Sequence, residues 1–187
     1  DWRDIYGGPQ AGEGKSVSKW GGYLPGIREF DPLFFQIAPR EATSMDPRQR
    51  LLLQESWKAL EDAGQGPHLL KKNKVGVFVG AEEGDYGRIA PGLGVTSNHN
   101  GILASRLSYF LDLEGPAIAI NTACSSGLVE MHQACASLRA GDCSMAIAAA
   151  ANLILTPEPY VGMSRAGMLS SDGKCHAFGK EANGMVP

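Results

Sequence analysis

Four cysteines, at positions 124, 135, 143 and 175, and four histidines are the side chains of this sequence best suited to covalent or acid–base chemistry. Of these, Cys124 has the most informative surroundings. It lies in Ala117–Arg139, AIAINTACSSGLVEMHQACASLR. Ile118 to Ile120 is apolar and β-branched, with Gly115-Pro116 before it and the small residues Ala123, Ser125, Ser126 and Gly127 after it, so the segment predicts a buried strand ending in a tight bend. From Gly127 the spacing turns helical: Leu128, Met131, Cys135 and Leu138 recur at helical intervals, and Gly141 supplies a stop. A thiol at the mouth of such a helix sits among backbone N–H groups and at the positive end of the dipole, which favours the thiolate. The expected chemistry is nucleophilic, on a strand-to-helix elbow whose small flanking residues let the reactive atom stand clear of the backbone. Cys135, on the apolar stripe, reads instead as a small hydrophobe packed into a core.

Rival chemistries are weaker. Glu82, Glu83 and Asp85 have no second ligand group at a useful spacing, so they read as a solvated loop and no metal site is expected. Gly76, Gly80 and Gly84 form neither a GxGxxG opening a helix nor a phosphate-binding GxxxxGK run. His132 is eight residues beyond Cys124, about 12 Å along a helix axis, too far to act on its sulfur. The cysteines show no CxxC pair and no zinc spacing, which suits a reduced, cytoplasmic protein. A net charge of -3 gives no case for nucleic acid, and no apolar run approaches the length of a membrane span.

The elements that must position Cys124 follow from the rest of the chain. Residues up to Gly26 show no sustained period and read as surface loop, with one short helical turn near Asp1 to Tyr6. Phe30, Phe34 and Phe35 predict an aromatic anchor in a core. Asp46 caps, Pro47 opens and Gln49 completes a box-like pair for a helix with Leu53, Trp57 and Leu60 on one face, ended by Gly64. Lys74 to Ala81, KVGVFVGA, predicts a central strand whose glycines admit a close neighbour. Glu82 to Thr96 is a long polar connection of the kind that lines binding sites. Ser97 to Asp112 is expected to be one helix with Leu103, Leu107 and Phe110 on its inner face, and Met145 to Leu155 a further strand. Strand, helix, strand, helix, strand is the signature of a layered α/β fold.

Asn121-Thr-Ala-Cys-Ser-Ser-Gly127 resembles the active-site motif of the ketosynthase domains of modular type I polyketide synthases, within the thiolase-like β-ketoacyl synthase superfamily, where DTACSSS is usual. The likeness extends to Ser18–Gly64 and to GMSRAGMLSSDGKCHAF at Gly162–Phe178. It implies a thiolase-like layered α/β fold of two similar halves, of which this chain would supply most of the first. Residues 1–187 would be the central part of a single ketosynthase domain, truncated at both ends. The implied reaction is acceptance of an acyl chain on Cys124 from the phosphopantetheine of an acyl carrier protein, then decarboxylative condensation with a malonyl-type thioester. No cofactor is implied in the domain itself, and the implied assembly is a homodimer joined through the strand before the cysteine.

The family's two catalytic histidines lie in segments resembling HGTGT and NxGHxE, neither of which occurs here; His176, in KCHAFG, falls where the family more often has lysine and is not one of them. Asn121, Gly127 and Gly179 are further departures and suggest a divergent group, one served by a separate acyltransferase. A non-elongating ketosynthase that only transfers acyl chains is an alternative, as is a dimer scaffold and carrier-protein docking domain. Met163, ahead of Ser164-Arg-Ala-Gly-Met-Leu169, stands where the family tends to place an aromatic facing the acyl tunnel; packing beneath the sheet is its other reading.

Overall fold

The computed structural model describes residues 2–90 and 95–187, which fall into two compact units, one of them Ile27–Leu153 and the other the chain up to Gly26 together with Ile154–Pro187. The first unit carries the sheet and Cys124. Its helices are α1 (Pro39–Ser44), α2 (Pro47–Asp62), α3 (Pro67–Leu70), α4 (Tyr86–Ile89), α5 (Val95–Asn98), α6 (Gly101–Leu111) and α7 (Ser126–Ala140). Its strands are β1 (Val75–Gly80), β2 (Ala117–Ile120) and β3 (Met145–Ala150). All three run parallel in the order β2-β1-β3, with Val77 opposite Ala117 on one side and Ile147 on the other. A parallel sheet covered by helices wants central strands that are apolar throughout, and every residue of β1 is buried.

The core gathers on one face of the sheet, where α2 and α6 contribute Leu52, Leu53, Leu60, Leu103 and Leu107 beside Val75, Val77 and Val79. The aromatic anchor joins it: the Phe30 and Phe35 rings stack at 5.1 Å, and Phe35 meets Phe110 at 5.0 Å. Phe34 stays half exposed, edge-on to Trp57. On the other face α7 packs against all three strands.

Three expectations need correction. Asp46 does cap α2, accepting from the Arg48 N–H at 2.8 Å, but Gln49 does not close a capping box. Its amide donates to the Thr96 and Ser97 carbonyls, while the Asp46 N–H donates to Ser97 as well, so the pair fastens α2 to α5 instead. The helix expected over Ser97 to Asp112 is divided at His99-Asn100, where Asn100 turns its amide to the Glu82 carbonyl. The strand expected to reach Leu155 stops at Ala150, because its ladder partner β1 ends at Gly80, opposite Ala150. The polar connection Glu82 to Thr96 holds α4, and its residues 91–94 lie outside the described residues.

The second unit contains a short 3-10 turn, Trp2–Asp4, and helix α8 (Glu158–Arg165). The Val17 N–H donates to Ser164 Oγ at 2.7 Å, and Gly22 N–H to the Pro187 carbonyl. Ser16, Ser18, Leu169 and Ser170 are buried there. Among the described residues no helix is long and apolar enough to cross a membrane.

Candidate active site

Cys124 stands exposed in the bend between β2 and α7, at the carboxyl end of the parallel strands, where α/β sheets place their ligand sites. A net of short-range hydrogen bonds builds the bend. The Thr122 N–H donates to Ser126 Oγ at 2.9 Å, and Ser126 Oγ donates onward to the Ala123 carbonyl at 2.7 Å. Ser125 Oγ donates to the Thr122 carbonyl at 2.8 Å. The Ala123 N–H donates to Asn121 Oδ1 at 3.0 Å, an Asx turn that needs only a carbonyl-type oxygen, so Asn serves there as well as Asp. Ala123 itself adopts φ 54°, a left-handed conformation that a residue with a Cβ enters at a cost of about 1–3 kcal/mol. Strain of this kind is what a sharp strand-to-helix elbow requires.

The bend is seated from below by β1. A Cβ at Gly80 would lie 2.7 Å from both the carbonyl carbon and oxygen of Ser126, and 2.9 Å from the Gly127 nitrogen, so only glycine lets α7 begin this close to the sheet. At its far end α7 closes on Gly141 in the left-handed conformation, φ 78°. Ser126 is buried and holds both sides of the bend. Ser126→Ala should therefore cost about 0.5–1.5 kcal/mol, read as a lowered denaturation midpoint, by removing the hydroxyl that joins Thr122 to Ala123.

The inner face of α7 differs from the one its apolar spacing predicts. Leu128, Met131 and Leu138 are 76%, 53% and 41% exposed, and Cys135 is exposed with them, so its reading as a core residue is wrong. The face against the sheet is Ser126, Glu130, Ala134 and Ser137. Small side chains let the helix approach β1 and β3 closely, and close approach decides the orientation over hydrophobicity. Their i, i+4 spacing was the available signal. Cys143, just beyond the helix, is buried, with its thiol donating to Ser137 Oγ at 3.5 Å.

None of the four histidines is hydrogen-bonded to Cys124 in the described residues. His132 is exposed on α7, and His99 accepts the Gly101 N–H. His176, in the other unit, meets Asp172 Oδ2 at 2.9 Å. The Ser170 hydroxyl, then His176 and Asn183, hold the Asp172 carboxyl well below the usual carboxylate range. Met163 also lies in that unit, half-buried in α8, its carbonyl accepting the Met168 N–H at 2.9 Å. Glu82 gives its backbone carbonyl to Arg48 and Asn100, while Glu83 Oε1 accepts from Asn100. No group of three or more potential metal ligands is gathered among the described residues.

Comparison with known proteins bears on what this elbow serves. The family described as beta-ketoacyl synthase, N-terminal domain, matches residues 1–187. The chain belongs to that family. Its relatives include polyketide synthase ThaG of Burkholderia thailandensis, 56% identical over 91% of this chain, and polyketide synthase PksM of Bacillus subtilis, 48% identical over 92%. This β-ketoacyl synthase segment spans 3% and 4% of those two proteins. The oxazolomycin ketosynthase domain OzmH KS7 of Streptomyces albus superposes with TM-score 0.91 at 42% identity, over all of this chain and 34% of its own. The ketosynthase from module 6 of the Bacillus subtilis bacillaene synthase gives TM-score 0.91 at 45% identity, over all of this chain and 31% of its own. The α/β fold is thus that of polyketide synthase ketosynthase domains, with this chain covering about a third of each.

Proposed function

We propose that this chain is the nucleophile-bearing part of a polyketide synthase ketosynthase, in which Cys124 accepts an acyl group from the phosphopantetheine of an acyl carrier protein. The thiolate adds to the thioester carbonyl carbon; the new carbon–sulfur bond forms, the bond to the phosphopantetheine sulfur breaks, and that sulfur leaves as a thiol after taking a proton. Condensation follows. A malonyl-type thioester loses carbon dioxide, and the enolate carbon attacks the Cys124 thioester and releases the cysteine, leaving a β-ketoacyl chain two carbons longer. The family's two histidines would assist that half-reaction from segments this sequence does not contain.

The observation that supports the reading best is the exposed Cys124 on a strained elbow, tied by side-chain hydrogen bonds, at the carboxyl end of a parallel sheet. Incubating the intact domain with a carrier-bound acyl thioester tests it: the peptide containing Cys124 should gain the acyl mass. Acylation at Cys135 or Cys175 in its place would refute the assignment. The domain binds no cofactor in this reading, since the phosphopantetheine arrives with the carrier protein.

A homodimer is part of the proposal. β2 pairs with β1 on one side only among the described residues, and Ile118 is 43% exposed on a strand with no charged gatekeeper. Apolar edges of this kind are covered in stable proteins, and a two-fold pairing of β2 with its counterpart would do so. The intact domain should sediment as a dimer at micromolar concentration; a stable monomer would count against this pairing.

Met163 is proposed to face the acyl chain. A thioether is slimmer and more adaptable than a phenyl ring, so Met163→Phe should slow loading of branched acyl thioesters far more than of straight ones. Equal losses for both would indicate a packing defect in α8, and no loss would remove Met163 from the tunnel.

A further inference from the structure

Glu130 is the one acidic residue on the inner face of α7. It is 3% exposed, one turn beyond the Ser126 that ties the Cys124 bend together. Its Oε2 has no hydrogen-bond partner, and the backbone of Ala149 on β3 is the one group that favours its ionised form. The strands packed against α7 read VGVFVG, AIAI and MAIAAA, without a single titratable side chain. Of the remaining groups nearby, the buried Cys143 thiol is engaged with Ser137 two turns further on, while His132 and Arg139 of α7 point to its exposed side. Among the described residues no basic group is hydrogen-bonded or ion-paired to this carboxyl. A neutral acid can be buried here, whereas an ionised one has nothing to offset its lost hydration.

We infer that Glu130, buried on the sheet face of α7 with an unpartnered carboxyl oxygen, is a positioning residue for the nucleophile: neutral, it lets the first turns of α7 seat on β1 and β3, and ionised, it lifts them and takes Cys124 out of place. The inference rests on Cys124 being the acyl acceptor. The seat is tight where it matters, because Gly80 lies against the backbone of Ser126 and Gly127 with no room for a methyl group. A helix lifted at Glu130 draws that backbone and the Ser126 hydrogen bonds with it. Burial pushes the Glu130 carboxyl up to about 7, against the smaller opposing effect of the Ala149 N–H. The native state therefore keeps a proton that the unfolded chain releases between about pH 4.5 and 7, so this residue's contribution to stability falls through that window and is level above it.

The test uses the intact domain and Glu130→Gln, which keeps the shape and cannot ionise. As pH rises from about 5 to 8, the unfolding equilibrium constant of the wild type should grow relative to the variant by roughly tenfold or more. Over the same range the rate of Cys124 alkylation, followed by peptide mapping, should rise less steeply in the wild type than in the variant. Infrared spectra should show a protonated carboxyl band in the wild type that fades near neutrality and is missing from the variant; this measurement stands if the variant folds poorly. A stability gap that is flat with pH, or a variant that loses ground as pH rises, would mean that a partner from elsewhere in the domain holds Glu130 ionised, and would overturn the inference. Parallel alkylation profiles in the two proteins would overturn the link to Cys124. Neither readout needs acyl transfer, so a failure of the acyl-acceptor reading remains distinguishable from a failure of this one.

Discussion

Cys124→Ala in the intact domain should lower acyl loading by roughly a thousandfold or more, because no other group in the bend can form the thioester. Its neighbours offer hydroxyls, but these are committed: Ser125 donates to Thr122 and Ser126 to Ala123. The thiol itself is exposed, and the net that holds the bend comes from residues on either side of it. Stability should therefore change by less than about 0.5 kcal/mol, as for other exposed substitutions. Loading from a carrier-bound thioester and a denaturant melt, run on the same preparation, separate the two effects. A variant that still loads would end the nucleophile assignment; one that melts much earlier would show that the sulfur also supports the fold. Among the other thiols, Cys143 is buried, so any competing alkylation should come from Cys135 or Cys175.

What could be read in the sequence was what local chemistry decides. The strand before Cys124, the helix after it, the Gly141 stop and the apolar β1 each rest on residue types in a short window, and each appears in the fold, although β2, expected to be buried, is exposed at Ala117 and Ile118 because it lies at the edge of the described sheet. The bend that carries Cys124 was legible because the residues around it are small for a geometric reason. What escaped was decided by partners distant in sequence. The orientation of α7 depends on how near it can come to β1 and β3, so its small, partly polar face turns inward and Leu128, Met131 and Leu138 turn out. Gln49 was read against its own helix, while its real partners are the carbonyls of Thr96 and Ser97, nearly fifty residues away. The end of β3 was set by the length of β1 and not by its own apolar run, which continues to Leu155. Glu130 illustrates the same limit: it shares the spacing of Ser126 and Ala134, but the burial of its carboxyl is set by how closely α7 approaches β1 and β3.

Gly80→Ala should damage chemistry as well as stability. The added methyl would meet main-chain atoms of Ser126 and Gly127 at 2.7–2.9 Å, and main chain at the start of a helix cannot rotate aside as a side chain does. Overpacking of this kind costs about 1–3 kcal/mol, and the strain is relieved by moving α7 and the bend away from the sheet. Gly76→Ala in the same strand is the control. Its methyl would meet the Phe78 ring at 2.8 Å and the Cys143 sulfur at 3.3 Å, side-chain atoms away from the cysteine turn. Both variants should melt earlier, but only Gly80→Ala should slow Cys124 acylation and alkylation at temperatures where both remain folded. If the two slow Cys124 equally, the loss is a general consequence of a weakened sheet, and the close contact between β1 and the first turn of α7 has no special part in presenting the thiol.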